Sequence, residues 1–229
     1  MKTGQFFAAL ALPAALLAGA PAAHAAEGEG IGGFYVGIHG GRGSDSSDWA
    51  GTPNGNPAPG FSTANVADID ASGWLLGGTV GGRWQTGYLV LGLEGEASWA
   101  NLEDSAANTA FAGRTNTTEI DWIGTVTAQF GIQTGKVHGY LEAGLGFTGS
   151  DYSVADADGV APDLTGGISD TRSGPVFGAG FEYLVSSGFS LRGEYNYMNF
   201  GSNDYTFGGD TWEIDQTLHV FRLAALYRF

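Results

Sequence analysis

The chain contains no cysteine, few basic residues and, beyond its first 25 residues, no apolar run long enough for a membrane-spanning helix. The lack of cysteine excludes a disulfide framework and any thiolate metal site. Only 9 Lys and Arg residues stand against 24 Asp and Glu residues. Because binding to nucleic-acid phosphates needs clustered basic side chains, we expect no nucleic-acid partner.

The chain is rich in glycine and in aromatic residues. Glycine supplies 40 of 229 residues and aromatics 13%. Leu, Ile and Val never gather into a stripe with the period of a helix. The composition therefore indicates many strands joined by turns.

The N-terminal segment has the features of a secretory signal peptide. Lys2 is followed by an apolar run over residues 6–17, and Ala23-His24-Ala25 offers small residues to a signal peptidase. The alternative is a transmembrane anchor, which Pro13 and Pro21 disfavour. We expect a signal peptide over residues 1–25 and one domain over 26–229, whose 8 basic and 24 acidic residues leave a net charge near −16.

Segments of alternating apolar and polar residues recur along this domain. Each has about the 9 to 11 residues that a tilted strand needs to cross a bilayer. In lipid, every backbone polar group needs a partner within the protein, so a spanning sheet must close on itself. We count eight strands: 33–43, 73–84, 88–102, 118–133, 137–147, 174–184, 189–199 and a last one that ends at Phe229.

The connections between these segments alternate between short and long. The short turns are Gln85-Thr86-Gly87, Thr134-Gly135, which repeats the Gln-Thr-Gly pattern, and Ser186-Ser187-Gly188. The long connections lie near 44–70, 102–117, 150–171 and 201–216. The sequence thus predicts an all-β, eight-stranded, antiparallel, up-and-down transmembrane β-barrel with short periplasmic turns and four long extracellular loops.

Charged and aromatic residues sort onto the two faces of the predicted strands. Eight charged residues fall on the inward face and predict a packed salt-bridge network in the lumen: Arg83, Glu94, Glu96, Glu142, Glu182, Arg192, Glu194 and Arg222. Aromatic residues at the strand ends predict girdles at the two membrane interfaces: Trp74, Trp99, Trp122 and Tyr197 at the loop ends, and Trp84, Tyr183, Phe189, Tyr227 and Phe229 at the turn ends.

The final segment reads as the closing strand of an outer-membrane barrel. Its apolar face carries Phe221, Leu223, Tyr227 and Phe229, and we interpret these four as a C-terminal signal for the barrel-assembly machinery.

Several longer motifs carry a resemblance to a known family. They are Gly33-Phe34-Tyr35-Val36-Gly37, the run from Leu91 to Trp99, the run from Asp121 to Val126, Leu191-Arg192-Gly193-Glu194-Tyr195 and Tyr227-Arg228-Phe229. The chain resembles the small outer-membrane β-barrel proteins of Gram-negative bacteria, of the porin-family or outer-membrane immunogenic type. The resemblance implies an eight-stranded barrel with surface-exposed antigenic loops and a role in envelope integrity, adhesion or ligand uptake.

Histidines and acids outside the charged lumen residues are candidates for three other kinds of site. His219, with Thr217 and Asp215 beyond it, is a candidate for a catalytic site at the rim, but no nucleophile and base form a recognisable motif. Asp156 and Asp158, with Asp151, Asp163 and Asp170 nearby, are weak candidates for calcium ligands, since an EF-hand's remaining ligands are missing. His39 and His138 are more simply lumen fillers than ligands of haem or a metal.

We therefore expect a monomeric, non-enzymatic outer-membrane barrel without a cofactor, which supports the envelope and exposes acidic antigenic or adhesive loops. Its expected partners are membrane lipid, lipopolysaccharide, the assembly machinery and an extracellular ligand or host surface. The alternative function is a small channel or a protein for uptake of a ligand such as haem.

Overall fold

The computed structural model describes residues 30–52, 65–107, 114–156, 166–207 and 210–229. The expected signal peptide with its cleavage site after Ala25, and the residues Asp158 and Asp163, lie outside the described residues, as does the side chain of Asp156. The described chain forms eight strands: β1 (Gly33–Thr52), β2 (Asn65–Thr86), β3 (Leu89–Ala107), β4 (Arg114–Thr134), β5 (Val137–Asp156), β6 (Gly166–Leu184), β7 (Phe189–Phe207) and β8 (Asp210–Arg228).

The eight strands close into one barrel. Each pairs antiparallel with the next along the chain, and β1 also pairs with β8, from Tyr35 opposite Arg228 to Thr52 opposite Thr211. The predicted eight-stranded, antiparallel, up-and-down barrel is confirmed. Within residues 30–52, 65–107, 114–156, 166–207 and 210–229, no helix has the length and apolar character to cross a membrane.

The two ends of the barrel differ in the length of their connections. At the end we call the turn end, two residues join β2 to β3 and β4 to β5. These tight turns place Gly87 at φ 60° and Gly135 at φ 57°, a backbone region that favours glycine. Both ends of the described barrel chain, Gly33 and Arg228, also lie here, and the opposite end is the loop end.

The strands are longer than the sequence predicted. They have 19 to 22 residues, about twice the length that crosses a bilayer. A strand of 20 residues, such as β1, is roughly 65 Å long at about 3.3 Å per residue. The predicted bounds were too short at the loop end, where the strands also include 44–52, 65–70, 103–107, 114–117, 150–156, 166–171, 201–207 and 210–216.

The alternation of apolar and polar residues inverts in these outer parts. On β1, Val36 and Ile38 face outward while Tyr35 and His39 face the lumen. Farther along the same strand, Ser46 and Asp48 face outward and Trp49 is buried. The half near the turn end is thus apolar outside, as lipid demands, and the outer half is polar outside with an apolar core, as water demands.

The wall of the barrel is weakest between β6 and β7. Their ladder has nine register pairs and stops at Val176 opposite Met198, although both strands continue toward the loop end. Pro175, which has no N–H to donate, comes next on β6. On β7 the register with β8 shifts between Asn199 and Gly201, and Gly201 has φ 64°.

Candidate functional site in the barrel interior

All eight charged residues that the sequence assigned to the lumen point into the barrel. The three arginines and four of the glutamates are at most 5% exposed, and the Glu96 side chain is also 5% exposed. They occupy one layer in the membrane-sized half of the barrel. Strand parity alone placed them inside, and the closed sheet brings them together.

Arg192 is the centre of this charged layer. Its Nη1 donates to both carboxylate oxygens of Glu94, at 2.8 and 2.7 Å, and lies 3.4 Å from Glu194 Oε2. Its Nε lies 3.4 Å from Glu182 Oε2. The guanidinium carbon also stands 5.4 Å from the ring centre of Tyr35 and 5.5 Å from that of Tyr140. One cation therefore holds three carboxylates between two aromatic rings.

The other two arginines complete the network on either side. Arg83 Nη1 donates to Glu182 Oε2 at 2.9 Å, and its guanidinium lies over the Tyr35 ring at 4.3 Å. Arg222 Nη1 lies 2.7 Å from Glu96 Oε2 and 3.1 Å from Glu194 Oε1. Two tyrosine hydroxyls add short hydrogen bonds of 2.5 Å, Tyr35 to Glu94 and Tyr140 to Glu194.

Glu142 differs from the other four glutamates because no arginine among the described residues lies within ion-pairing distance of it. Its Oε2 accepts hydrogen bonds from Thr127 Oγ1 at 3.0 Å and Gln129 Nε2 at 3.4 Å, and its Oε1 has no hydrogen-bond partner in the part of the chain that the structure describes. The layer holds five carboxyl groups and three guanidinium groups, so its acids outnumber its bases.

Carboxylate oxygens of Glu94, Glu96 and Glu194 lie within 4.8 Å of one another, a spacing that could hold a metal ion. However, the guanidinium groups of Arg192 and Arg222 already engage these three carboxylates. The arrangement therefore fits internal charge pairing better than metal binding.

Apolar layers lie on both sides of the charged layer. Toward the turn end, Ile31, Val90 and Leu184 form one cluster. Toward the loop end lies a larger cluster, whose members are Ala71, Leu75, Leu102, Ile120, Ile123, Val176, Met198, Phe200, Leu218 and Val220. A third cluster follows in the outer half: Trp49, Ile69, Tyr152, Tyr205 and Ile214.

The segment before β1 lies across the turn end of the lumen. The Ile31 amide donates to Gln85 Oε1 at 2.7 Å and to Gln133 Oε1 at 2.9 Å. The same glutamines use Nε2 to bond their own turns, at Gly87 O (2.9 Å) and Gly135 O (2.8 Å). This N-terminal clamp was missed by the sequence analysis, although the repeated Gln-Thr-Gly pattern was its visible signal.

The outer half of the lumen holds buried polar groups of its own. Arg172 donates to the carbonyls of Phe200, Gly201 and Ile214, and so links β6 to β7 and β8 above the end of the β6–β7 ladder. Tyr205 on β7 donates to Asp170 on β6 at 2.6 Å. Burial raises the pKa of Asp45 in this region to about 6, against the weaker opposing effects of Ser47, Gln216 and Arg172.

An acidic collar surrounds the outside of this half. Among the described residues its members are Asp48, Asp68, Asp70, Glu103, Glu119, Asp121, Asp151, Asp204, Glu213 and Asp215. Several acids stand directly opposite one another, such as Glu119, which pairs with Glu103 and with Asp151. Partial burial, followed by the charges of Asp121, Glu103 and Asp151, raises the pKa of Glu119.

The aromatic residues of the two predicted girdles all lie on the outside of the barrel. Trp74, Trp84, Trp99, Tyr183, Tyr227 and Phe229 are exposed, and Trp122, Tyr197 and Phe189 are exposed in part or in full. Trp99 and Trp122 stand opposite each other in the β3–β4 register. In the final strand, Phe221, Leu223, Tyr227 and Phe229 all face outward, each more than half exposed.

The histidines considered as catalytic or metal-binding residues lie on both faces of the barrel wall. His39 and His138 are buried in the lumen, where His39 Nε2 lies 2.7 Å from Ser98 Oγ and His138 stacks on Tyr140. His219 is exposed on the outer face, with Nδ1 2.7 Å from the Tyr195 hydroxyl. Asp215 accepts a hydrogen bond from Ser202 at 2.9 Å.

Comparison with known proteins places these features in context. The model of a family described as the outer membrane protein beta-barrel domain matches residues 11–229. The 31 kDa outer-membrane immunogenic protein of Brucella melitensis biotype 1 is 28% identical over 167 residues, which cover 71% of this chain and 69% of that protein. A 22 kDa outer membrane protein of Rhizobium leguminosarum bv. viciae is 29% identical over 160 residues, 68% of each chain.

Among solved structures, the outer membrane protein OprG of Pseudomonas aeruginosa is similar with a TM-score of 0.54. It is 15% identical, and the similarity covers 88% of this chain and 98% of that chain. At this identity the likeness concerns the fold alone.

Proposed function

The chain belongs to the outer-membrane protein β-barrel family, and from this premise we propose that it is a closed, non-conducting barrel that supports the envelope and presents an acidic surface to the exterior. The protein resides in the outer membrane, with the turn end toward the periplasm and the loop end outside. The observation that carries the closed-lumen proposal is the layering of the interior. A charged layer with paired side chains is enclosed by apolar clusters on both sides.

The physical argument is the cost of moving an ion through such an interior. An eight-stranded barrel is only wide enough for its own side chains to fill. A hydrated ion would have to shed water against Leu75, Leu102 and Met198, which are at most 2% exposed. It would then have to displace guanidinium groups from their carboxylates. The alternative, a small channel or uptake protein, needs a continuous polar path.

Single-channel recording on the refolded protein in planar bilayers separates these functions. We expect no steady conductance, with a porin of known conductance as the positive control. As a matched pair, Met198→Ser places a polar side chain in the apolar layer, and Met198→Leu keeps the layer apolar. Met198→Leu should conduct no more than the unsubstituted protein, and any conductance that appears should appear in Met198→Ser. A steady, ion-selective conductance in the unsubstituted protein, equal to that of Met198→Ser, would mean that the apolar layer does not block ions and would overturn the closed-lumen proposal.

The acidic collar supports the surface-interactive part of the proposal. Acids that stand directly opposite each other, such as Glu103, Glu119 and Asp151, reduce stability, yet they generate a strong negative potential. The expected exterior partners are therefore cationic surfaces or surfaces bridged by divalent cations. Nanodisc-embedded protein should adhere to polylysine and not to heparin, and E103Q/E119Q/D151N should weaken the adhesion. Equal adhesion to both polymers would contradict this.

We assign His219 no catalytic role. Its Nδ1 is engaged by Tyr195, and the nearby Asp215 is engaged by Ser202 instead of by the imidazole. His219→Gln should leave the acyl composition of lipid A in the producing cells unchanged, as measured by mass spectrometry. A changed acyl pattern in cells with the variant would refute this assignment.

The outward face of the last strand is proposed as the contact for barrel assembly. Phe229 is 72% exposed at the end of this strand, and its ring packs edge-on to Tyr227 at 5.4 Å. Phe229→Ala should reduce the amount of heat-modifiable barrel in outer-membrane fractions, whereas Leu89→Ala, on another strand at the same end, should not. Equal amounts of the two variants would argue against a specific signal.

A further inference from the structure

Arg42 lies exposed on the outer surface, between the turn-end aromatic residues and the loop end. Among the side chains that the structure describes, no other arginine or lysine is exposed in this part of the surface. It stands between Trp74 on β2 and Phe221 on β8 in the register. It therefore lies at the level of the aromatic residues near the loop end. Within the described part of the chain, it has neither a hydrogen bond nor an ion pair.

The acids of the collar begin farther out. The next outward row beyond Arg42 is Ser44, which stands opposite Ser72 on β2 and His219 on β8. On the described parts of β1, β2 and β8, acids appear only beyond this row, with Asp70 opposite Ser46 and Asp215 opposite Asp48. On β3, Glu103 stands opposite Ser72, two strands away from Ser44. Arg42 and His219 thus occupy a strip of the surface that offers hydrogen-bond donors and one full positive charge, with no carboxylate of a described residue directly opposite either side chain.

The neighbouring aromatic residues hold His219 in place and leave donors available. The Tyr195 hydroxyl lies 2.7 Å from His219 Nδ1, and the Tyr197 ring meets the imidazole edge-on at 5.3 Å. When Tyr195 donates this hydrogen bond, the ring hydrogen of His219 is on Nε2. Asn199 Nδ2 donates to the Tyr197 hydroxyl at 3.4 Å, which leaves the tyrosine's own hydrogen free to donate elsewhere.

The surface beneath Arg42 is apolar and indented. The next outward residue on β1 toward the turn end is Gly40, which stands between Leu76 and Leu223. A Cβ at Gly40 would lie at ordinary contact distance, 3.6 Å from the Leu75 carbonyl oxygen and 3.8 Å from Leu76 Cδ1, so the missing side chain leaves a shallow indentation beside Leu76. One row farther, Ile38 is flanked by Gly78 and Ala225. The small residues leave a furrow between larger apolar side chains, of a kind that an acyl chain can fill.

We propose that Arg42, Ser44, His219 and Tyr197, together named the outer patch, bind the phosphate monoester of a glycolipid in the outer leaflet, whose acyl chain follows the furrow at Gly40. Arginine and hydroxyl donors are the groups that recognise phosphate. The furrow distinguishes a lipid phosphate from a free one, because only a lipid would use both features. The site depends on the placement of the barrel in the outer membrane and not on a closed lumen.

The test is binding of fluorescent diphosphoryl lipid A to the refolded full barrel in detergent micelles. Arg42→Gln should weaken binding about tenfold, the effect of losing one charge-assisted hydrogen bond. Arg42→Lys should retain most of the affinity, and His219→Gln should weaken binding by a smaller factor. Lys136→Gln is the matched control, since it removes the same charge from an exposed position at the turn end and should change nothing.

Several results would overturn the outer patch. One is unchanged affinity of Arg42→Gln, and another is an equal loss for Lys136→Gln, which would indicate a general charge effect. A third is equally tight binding of lipid A stripped of its phosphates. Heat-dependent gel mobility verifies that each variant has folded. If Arg42→Gln does not fold, unchanged affinity of His219→Gln would by itself refute the site. Channel recordings report on the lumen separately, so the two proposals fail independently.

Discussion

Replacing Arg192 with methionine should destabilise the barrel more than any other single removal of charge in its interior. Methionine has a similar length and no charge, so the substitution removes the cation with little change in volume. It leaves Glu94, Glu182 and Glu194 in the lumen, each less than 4% exposed, without the guanidinium that lies 2.7 to 3.4 Å from all three.

The expected size follows from these contacts. Breaking a buried ion pair by removing one partner costs about 3–5 kcal/mol, because the remaining charge stays desolvated. Glu182 keeps Arg83 and Glu194 keeps Arg222, at 2.9 and 3.1 Å, but no second arginine within ion-pairing distance of Glu94 is found among the described residues. We therefore expect a loss of about 3–5 kcal/mol in the free energy of unfolding, most of which comes from Glu94.

The assay is reversible urea unfolding of the barrel in lipid vesicles, followed by tryptophan fluorescence. Lys136→Met, at an exposed turn position, is the control and should change the free energy by less than about 0.5 kcal/mol. The double variant R192M/E94Q should recover part of the loss, because it removes the unpaired carboxylate. A loss below about 1 kcal/mol for Arg192→Met would refute the view that this network holds the interior together.

Three further variants test other parts of the structure. Glu142→Gln should leave the urea midpoint unchanged or raise it, because no arginine of the described residues pairs with Glu142 and Gln can still accept from Thr127. A loss as large as that of Glu94→Gln would contradict this. Burial raises the pKa of Asp45 from 3.8 to about 6, so the folded state binds this proton more tightly than the unfolded state does. The free energy of unfolding should therefore fall as pH rises from near 3.8 to about 6, and Asp45→Asn should flatten that part of the pH profile. An unchanged profile in Asp45→Asn would exclude Asp45 as the origin of the fall. Gln85→Ala with Gln133→Ala should speed hydrogen exchange at the Ile31 amide at least tenfold, whereas Gln216→Ala at the loop end should not; equal rates would mean that the clamp does not hold the segment.

The membrane-spanning half of the fold was predictable because one rule governs it. Lipid outside and packed polar groups inside give every strand the same alternation, so Val36 and Ile38 on β1 and Leu91 and Leu93 on β3 could be placed on the outer face from parity alone. The count of eight strands and the closure of β1 on β8 followed from this pattern.

The outer half was missed because its alternation has the opposite sense. Between Ser44 and Trp49 the outward positions carry Ser44, Ser46 and Asp48 while Trp49 faces inward, so the outward apolar stripe that defined the strand ends. These polar, acidic stretches were interpreted as loops. A search for strands that allowed the inward and outward faces to exchange their polarity would have extended β1 and β2 correctly.

Parity also could not predict which charged residues pair. Arg222 and Glu96 are 126 positions apart, and only the shear of the closed sheet brings Arg222 Nη1 to 2.7 Å from Glu96 Oε2. The N-terminal clamp was missed for a related reason. The two turn glutamines look like ordinary turn residues until the chain before β1 is seen to cross between them.

The short ladder between β6 and β7 makes the barrel wall less resistant to opening between these two strands than elsewhere. Above Val176 and Met198, the two strands are linked by the Arg172 side chain and by the Tyr205–Asp170 hydrogen bond. Their ladder of nine register pairs is the shortest among the described strands; the β2–β3 ladder also stops early, at Ser72 opposite Glu103, but has fifteen pairs. Local opening should begin along this line, since fewer bonds need to break there. Such local opening would expose the buried cluster of the outer half, which includes Trp49 and Tyr152, to solvent through the side of the barrel. The membrane-spanning half of the barrel would stay closed.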